Sequence, residues 1–529
     1  MKILTAKQMN QVDRLTTDRY GLPSLILMEN AGLNLYLALE DYFEDLPIRR
    51  IAIFCGKGNN GGDGLVLARQ LVQRAIYPDV YLLSRVDDIS GDARINLEAY
   101  LKSGEIVHTV TSDREWQEVE EGIYDYDIII DALLGTGMSK PLKGLYAKVV
   151  ADVNNTGAFV LSVDIPSGMF SDSLKGGVET VLADATVTFT APKIAHILNQ
   201  DQEAIGDLRI VPIGTPLDLL EQKDFYLNLM SREQVRSYLL PREVSSHKGD
   251  FGHVAVVGGS RGKSGAAILS ARGALRAGSG LVTVYTPDVA QSTIASFQPE
   301  LMTEGLASTS KGAFSKAATA QLLDVLQERD AAGMGPGLTT EKETIEFVNK
   351  VVQDSPVPMV LDADALNAFA GRIEKLKNRR RQPLVLTPHP GEFARLLSQP
   401  TASILENKVE LSRKFAETHG VWLVLKSFRT LVAAPDGEVY VCPLGNPGMA
   451  SAGMGDVLTG VLTSLLGLYA ARGMTELAHV TRATVLGVYL HSLAGDLAAA
   501  QTGPEALAAG DVIENLGRAY LDLARAEPA

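Results

Sequence analysis

The chain has 529 residues, more than a single domain usually contains, so we expect at least two folded units. Its composition, with 46% hydrophobic and 21% charged residues, is that of a globular protein and excludes a fibrous or disordered chain. The formal net charge of −14 opposes binding to nucleic acid, because the phosphate backbone is also negatively charged.

Two further features indicate the cellular compartment. Cys55 and Cys442 lack the spacing of a metal or redox site, which favours a reducing compartment. The first residues lack the apolar core of a signal peptide, and the longest apolar helix candidate, residues 457–471, is shorter than the roughly 20 residues of a membrane helix. We therefore expect a cytoplasmic protein with no membrane partner.

The first half alternates short apolar runs with glycine-rich turns and helical patterns, which is typical of α/β folds with parallel sheets. Thr5 is the expected N-cap of a first helix, and a second helix should follow Pro23. The predicted strands are residues 51–55, 80–83, 128–131, 159–164, 186–189 and 208–211. Polar residues 221–224 predict a linker, and hence two domains at 1–220 and 221–529.

The second half shows the same alternation. Its predicted strands are residues 254–257, 281–285, 359–362, 384–387, 421–426, 430–433 and 439–442, the last two joined by a hairpin at Asp436-Gly437. Two alanine-rich helices, residues 475–500 and 511–525, are expected in the core, although they could also pack against another subunit. We predict an α/β fold here too.

Three polar loops follow predicted strands of the first half, and ligands of open parallel sheets bind at such strand ends. Residues 56–64 are rich in glycine and should lead into a helix over residues 65–73, whose N-terminus could meet a phosphate. Residues 131–137 and 164–168 form the other two loops, each beginning with an aspartate. The alternative is that Asp131 and Asp164 only cap neighbouring loop N–H groups.

With these loops in this order, residues 5–212 resemble the NAD(P)H-hydrate epimerase family. The resemblance implies a Rossmann-like three-layer domain that binds potassium through Asn60, Asp131 and Ser167. Contacts to the hydrated dinucleotide are implied for Asn59, Asn60, Gly61, Gly62, Asp63, Gly135, Thr136, Gly137, Met138, Ser139, Lys140, Pro141 and Asp164. The hydroxyl of this substrate is on a ring carbon next to nitrogen, so we expect Asp164 to be the catalytic general acid and base.

In the second half, Gly453-Met454-Gly455-Asp456 leads into an apolar helix. Amides at a helix N-terminus beside a carboxylate suit phosphoryl transfer, although an aspartate there is also a common N-cap. Lys426 and His389 each follow a predicted strand and could face the same cleft. Alternatively, Lys426 is a solvated strand end and His389 only bonds the backbone.

These residues also resemble a known family. Residues 231–522 are similar to ADP/ATP-dependent NAD(P)H-hydrate dehydratases, which have a ribokinase-like fold; the matching segments are residues 246–249, 258–260, 265–267, 335–338, 362–366, 389–392 and 453–456. The resemblance implies that Ala266, Gly337, His389 and Asp456 contact the hydrated cofactor, and that Lys426, Ser427, Phe428, Arg429, Thr430 and Gly455 bind the nucleotide. It implies Mg²⁺ at the phosphates and Asp456 as the catalytic base. Met454 and Ser427 depart from the family pattern.

Together the two resemblances predict a bifunctional enzyme that repairs hydrated NADH and NADPH. The first domain would interconvert the R and S hydrates, and the second would dehydrate the S epimer at the expense of ADP or ATP. The alternative is a ribokinase-like small-molecule kinase fused to a non-catalytic dinucleotide-binding scaffold. We expect the ligands to be small molecules, namely the hydrated cofactors and ADP or ATP. We also expect the chain to form a homo-oligomer.

Overall fold

The computed structural model describes residues 1–138, 140–175, 179–380 and 382–525. They form two compact units, Met1–Phe225 and Tyr226–Ala529, each with its own sheet. Sequence analysis placed the boundary near residue 220. The first unit extends to Phe225 because this side chain, together with Leu219, is buried against Leu4 and Val12 near the N-terminus.

The first unit is an α/β structure. Its strands are β1 (Ile51–Cys55), β2 (Asp79–Leu82), β3 (His108–Thr109), β4 (Ile128–Ala132), β5 (Phe159–Val163), β6 (Ala185–Phe189) and β7 (Asp207–Val211). Its helices are α1 (Ala6–Tyr20), α2 (Ser24–Tyr42), α3 (Asn59–Val72), α4 (Gly91–Lys102), α5 (Asp113–Gln117), α6 (Leu145–Asn154) and α7 (Ile194–Leu198). In the described part of this unit, the strands make one parallel sheet in the order β3-β2-β1-β4-β5-β6-β7.

Alternating residues of the central strand β1 explain why helices cover both faces of this sheet. Ile51, Ile53 and Cys55 belong to one apolar cluster, whereas Ala52 and Phe54 belong to another. Successive strand residues point to opposite faces, so a strand that is apolar throughout must be buried on both sides. The predicted three-layer arrangement of this unit follows from that pattern.

The second unit is also α/β. Its strands are β8 (Leu227–Leu229), β9 (His253–Val257), β10 (Leu281–Pro287), β11 (Met302–Leu306), β12 (Ala331–Met334), β13 (Met359–Leu361), β14 (Leu384–Leu386), β15 (Trp422–Leu425), β16 (Leu431–Ala433) and β17 (Val439–Val441). Its helices are α8 (Arg232–Arg236), α9 (Ser264–Arg276), α10 (Asp288–Ala295), α11 (Thr319–Val325), α12 (Lys342–Asp354), α13 (Ala363–Asn367), α14 (Pro390–Leu397), α15 (Thr401–Glu406), α16 (Lys408–His419), α17 (Met454–Ala471), α18 (Leu477–Thr502) and α19 (Ala509–Ala524).

The described strands of this unit form one sheet in the order β11-β10-β9-β12-β13-β14-β15-β16-β17-β8. Pairing is parallel except that β16 runs antiparallel to β15 and to β17. Gly437, with φ +89°, turns the predicted hairpin between β16 and β17. The two alanine-rich helices α18 and α19 pack on each other and on the core of this unit, as expected.

Some elements differ from the prediction. Strands β3, β8, β11 and β12 were not predicted; β12, for example, is Ala331-Ala332-Gly333-Met334, which lacks the β-branched residues typical of strands. Helix α3 begins at Asn59 and not at Leu65, so much of the predicted loop is helical. The glycines permit this early helix start because the backbones approach too closely for a side chain. A Cβ on Gly61 would lie only 1.9 Å from the Gly56 carbonyl oxygen.

Two helices of the second unit are long and apolar enough to cross a membrane by length and composition alone, α17 and the longer α18. The expectation that no apolar helix reaches that length was therefore wrong, because α18 has 26 residues. In each helix, 72% of the apolar window is buried within the fold, which is the pattern of a core helix.

Candidate functional site

A cleft of about 740 Å³ opens in the first unit, lined by residues that follow β1, β4, β5 and β6 and by residues of α1 and α2. It brings together most of the predicted dinucleotide contacts: Asn59, Asn60, Asp63, Gly135, Thr136, Gly137, Met138, Lys140, Pro141 and Asp164. Gly61 and Gly62 are buried in α3 and contribute close packing. Ser139 lies outside the described residues.

Asp164 directly follows β5 and is held by a lysine that sequence analysis missed. Lys193 Nζ lies 2.6 Å from Asp164 Oδ1, and Thr188 Oγ1 donates to the same oxygen at 3.0 Å. Asp164 is 9% exposed and Lys193 is 1% exposed. Burial is the largest single influence and would raise the pKa of Asp164, but the Lys193 ammonium, with smaller contributions from His196 and the Thr188 hydrogen bond, brings the pKa below its usual value.

The backbone around this pair is fixed by local contacts. Asp164 has φ +64°, in the left-handed region that residues other than glycine rarely adopt. The backbone N–H of Lys193 donates to His196 Nδ1 at 3.0 Å, and burial lowers the pKa of this histidine to about 3. His196 is therefore neutral and serves to orient the loop that carries Lys193.

Asp63 and Asp13 also line this cleft, and neither forms an ion pair among the described residues. Asp63, on α3, is 9% exposed, and burial followed by the charges of Asp164 and Asp13 raises its pKa well above the usual value. Asp13, on α1, has a pKa raised to about 6 by burial, and Asp164 adds to this while Lys193 opposes it. Asp13 was not predicted as a site residue, because its place in this cleft depends on the packing of α1 and no local motif marks it.

The predicted potassium ligands Asn60, Asp131 and Ser167 lie around the loop after β4. Ser167 Oγ donates to Asp131 Oδ1 at 2.6 Å, and the Ser167 backbone N–H donates to Asp131 Oδ2 at 2.8 Å. Asn60 packs on Gly135, and its buried Nδ2 has no hydrogen-bond partner among the described residues. Because amide nitrogen and oxygen can be exchanged by a flip, this orphaned atom fits an oxygen ligand for a cation.

In the second unit, the centre of the candidate site is a buried ion pair between the ends of two strands. Lys426, after β15, places Nζ 2.6 Å from Oδ1 of Asp362, which follows β13 and is 1% exposed. Thr459 of α17 donates to Asp362 Oδ2 at 2.9 Å. A Cβ on Gly455 would lie 3.0 Å from Lys426 Nζ, so the glycine lets the N-terminus of α17 approach this pair. Sequence analysis gave Asp362 no role, although it is part of a matching segment.

Asp456 lies in the first turn of α17, beside this ion pair. Its carboxylate accepts no hydrogen bond within the described part of the chain. Burial, and then the negative charge of Asp362, raise its pKa to about 7, while Lys426 opposes the rise. A carboxyl group that titrates near neutrality can take a proton from a substrate hydroxyl. Gly453 precedes the helix with φ +90°, which turns the chain so that the first amides of α17 have no helical partner.

The predicted contacts His389, Ala266 and Gly337 lie on neighbouring elements. His389 caps α14: its Nδ1 accepts the Gly391 N–H at 3.0 Å, and its side chain is 50% exposed. Its loop is joined to the ion pair because Lys426 N–H donates to the Pro388 carbonyl at 2.9 Å. Ala266 belongs to α9, and Gly337 has φ +72° and accepts a hydrogen bond from Ser260.

A hydrogen bond from a buried lysine holds the predicted nucleotide loop, Lys426 to Thr430, in place. Lys408, 5% exposed, donates from Nζ to the Phe428 carbonyl at 2.8 Å, and burial lowers its pKa to about 8. Within the loop, Thr430 Oγ1 donates to the Ser427 carbonyl at 3.3 Å. Met454, which departs from the family pattern, is 5% exposed, so its side chain belongs to the core.

Comparisons with known proteins find a different family model for each of the two units. A family model described as YjeF-related protein N-terminus matches residues 24–195, and one described as NAD(P)H-hydrate dehydratase matches residues 254–518. A bifunctional NAD(P)H-hydrate repair enzyme of Moorella thermoacetica is 43% identical over 517 residues, 98% of this chain and 96% of the relative. The chain belongs to the family of bifunctional NAD(P)H-hydrate repair enzymes.

Other members of this family are similar along the same length. The relative from Thermofilum pendens is 36% identical, with 98% of this chain and 96% of the relative covered. Among solved structures, the ADP/ATP-dependent NAD(P)H-hydrate dehydratase of Bacillus subtilis, co-crystallised with ATP and Mg²⁺, matches with a TM-score of 0.48 and 29% identity, covering 56% of this chain and 98% of that chain. The predicted family and α/β class are confirmed.

The raised pKa of Asp456 predicts that the site costs stability at neutral and alkaline pH. Because the folded-state pKa, about 7, exceeds the 3.8 of an aspartate in the unfolded chain, the free-energy penalty for the ionised form grows as the pH rises from 4 to 7. We expect Asp456→Asn to be more stable than the wild type, by a margin that increases by about 2 kcal/mol between pH 5 and pH 8 after allowance for partial exposure.

Urea denaturation of the full chain at several pH values measures this margin, with Asp324→Asn, an exposed aspartate of α11, as the matched control. A margin for Asp456→Asn that stays constant across this range contradicts the burial of an ionisable carboxyl at this position.

Proposed function

We propose that this chain repairs hydrated NADH and NADPH. The first unit interconverts the R and S hydrates, and the second unit dehydrates the S epimer with ADP or ATP as the phosphoryl donor. The observation that carries the proposal is that each unit places a buried aspartate bonded to a lysine at its strand ends, beside the loops that match the family. We further expect the chain to act in the cytoplasm as a homo-oligomer.

In the first unit, we assign the ring of the hydrated dinucleotide to the cleft beside Asp164. The Asn59-Asn60 turn at the N-terminus of α3 and the loop at Gly135 to Gly137 supply amides for the pyrophosphate. Lys193 keeps Asp164 ionised and oriented, so that its carboxylate can accept a proton from an attacking water and, in the reverse direction, its carboxyl group can return that proton to the departing hydroxyl. The hydroxyl then leaves and returns on the other face of the ring.

A potassium ion fits the oxygen-rich pocket of Asn60, Asp131 and Ser167 beside this cleft. The orphaned amide of Asn60 supports this assignment, as does Asp131, whose pKa is raised by burial despite the hydrogen bonds from Ser167. When bound, the ion would supply positive charge that attracts the substrate hydroxyl. Asp131 and Ser167 would hold the loop after β4 in its binding conformation.

In the second unit, phosphorylation of the ring hydroxyl would turn a poor leaving group into a good one, and elimination would then restore the nicotinamide double bond. Asp456 accepts the hydroxyl proton, and the amides of Gly453 to Gly455 stabilise the transferring phosphoryl group. Lys426 lies at the same point and neutralises phosphate charge. Lys408 positions the nucleotide loop through the Phe428 carbonyl.

A magnesium ion would enter this site with the nucleotide. Among the described residues there is no group of three His, Cys, Asp or Glu side chains able to hold a metal by itself. This fits Mg²⁺, which usually keeps several waters and binds mainly through substrate phosphates. The ion would supply charge neutralisation for the phosphates, while the lysine and amides of the chain orient them.

Single substitutions should lower one of the two activities and leave the other unchanged. Asp164→Asn should lower epimerisation by about 100-fold or more and leave dehydration of the S epimer unchanged, because it removes the proton acceptor of the first unit alone. Asp456→Asn should lower dehydration by about 100-fold or more and leave epimerisation unchanged, because it removes the proton acceptor of the second unit alone. Chromatography of the epimers without nucleotide measures the first activity, and the return of NADH absorbance measures the second.

Each variant is thus the control for the other. Unchanged epimerisation by Asp164→Asn, or unchanged NADH formation by Asp456→Asn, contradicts the corresponding assignment. A stable phosphorylated product from the wild type would indicate a small-molecule kinase instead.

Epimerisation should also depend on the monovalent cation. Replacing K⁺ with tetramethylammonium at constant ionic strength should lower the epimerisation rate by about tenfold or more, since the oxygen ligands can no longer be bridged. In Asp131→Asn the rate should be low in both salts. Equal wild-type rates in the two salts would remove potassium from the proposal.

A further inference from the structure

The first unit contains a carboxyl group that the mechanism above does not use. Asp13 lines the same cleft as Asp164 and Lys193, but it belongs to α1, which precedes the segment matched by the family model. Its Oδ1 is buried and has no hydrogen-bond partner among the described residues. A buried oxygen without a partner costs free energy, so its retention at the wall of a cleft indicates a role toward the ligand.

Helix α1 holds Asp13 in a fixed position relative to the ion pair. The Leu4 N–H donates to the Pro192 carbonyl at 3.0 Å, and Leu4 forms a parallel bridge with Lys193 itself. Thr5 then caps the helix, and Val12 is buried in the small cluster beneath it. The chain segment that carries Asp13 therefore pairs with the backbone at the residue that neutralises Asp164, through a hydrogen bond to the preceding Pro192.

We propose that Asp13 is a second catalytic carboxyl of the epimerase site, which gives a proton to the departing hydroxyl while Asp164 takes one from the incoming water. This inference rests on the proposed epimerase function and deepens it. Lys193 bonds Asp164, whereas Asp13 forms no ion pair within the part of the chain that the structure describes, so the two carboxyl groups differ in the way that acid and base roles require.

The Asp13 carboxyl transfers its proton to the ring hydroxyl, the C–O bond breaks with its electron pair leaving on water, and the ring nitrogen lone pair stabilises the resulting cation. A water molecule adds to the opposite face and loses a proton to the Asp164 carboxylate. Solvent carries that proton from Asp164 and returns one to Asp13, and the reverse reaction exchanges the two roles.

The charges around Asp13 support the assignment of the acid role to Asp13 and the base role to Asp164. With a pKa of about 6, Asp13 keeps its proton in roughly a tenth of molecules at pH 7 and in more than half below pH 6, whereas the Lys193-bound Asp164 stays ionised. The other charged groups that face the cleft are Asp63, Asp92, Lys57, Lys140, Lys143 and Lys193. Burial, and then the charges of Asp164 and Asp13, raise the pKa of Asp63 well above its usual value.

The test uses Asp13→Asn in the full chain, with nucleotide absent so that only epimerisation is observed. We expect kcat for epimerisation to fall by about 100-fold or more, with KM for the hydrate changed by less than about threefold. Wild-type kcat/KM should fall as the pH rises above about 6, because the acid form of Asp13 is lost, and this alkaline limb should be absent from the residual activity of the variant.

The matched control is Asp18→Asn, an aspartate of the same helix whose side chain is 58% exposed and paired with Arg14; it should keep wild-type epimerisation. A wild-type chain that does not epimerise at all would refute the proposed function itself. Wild-type kcat in Asp13→Asn, or a loss of rate explained by a matching rise in KM or fall in thermal midpoint, would overturn the role of Asp13 and leave the epimerase assignment standing.

Discussion

In both units, a buried aspartate at a strand end is neutralised by one lysine, and the arrangement of the site depends on that contact. The two ion pairs, Asp164 with Lys193 and Asp362 with Lys426, each have an N–O distance of 2.6 Å. An unpaired carboxylate at such depth would be strongly destabilising, whereas a paired and hydrogen-bonded one is tolerated. Thr188 and Thr459 complete the hydrogen bonding of the two aspartates.

Each pair also determines the chemistry of its neighbours. Each lysine is bonded to one carboxylate, and the neighbouring carboxyl group has no ion pair among the described residues. Burial therefore raises the pKa of that neighbour, to about 6 for Asp13 and to about 7 for Asp456. Groups that titrate near neutrality suit proton transfer, but they cost stability when ionised. The local lysines and amides also explain how a chain with a net charge of −14 can hold an anionic dinucleotide.

Local sequence was sufficient to predict the loops at the strand ends. Residues 51–55 were predicted as a strand at the observed bounds, because a continuous apolar run followed by glycines has few other interpretations. Asp164 and Asp456 could be predicted as site residues for the same reason, since each begins or ends a glycine-rich turn next to an element with a clear pattern.

The partners of these residues could not be predicted in the same way. Lys193 meets Asp164 only because β6 lies beside β5, and Asp13 joins them only through the bridge between Leu4 and Lys193. Such contacts depend on the order of strands in the sheet, which a single sequence does not encode locally. Strand β8 was missed because its pairing partner, β17, is far along the chain.

The two activities complement each other, because spontaneous hydration gives both epimers while a stereospecific dehydratase uses one. The most direct measurement is the extent of NADH recovery from an equal mixture of hydrate epimers with nucleotide and Mg²⁺, for the wild type and for Lys193→Met. The wild type should convert all of the hydrate, whereas Lys193→Met should convert the S half at the wild-type rate and then stop. Complete conversion by Lys193→Met at the wild-type rate would contradict the account.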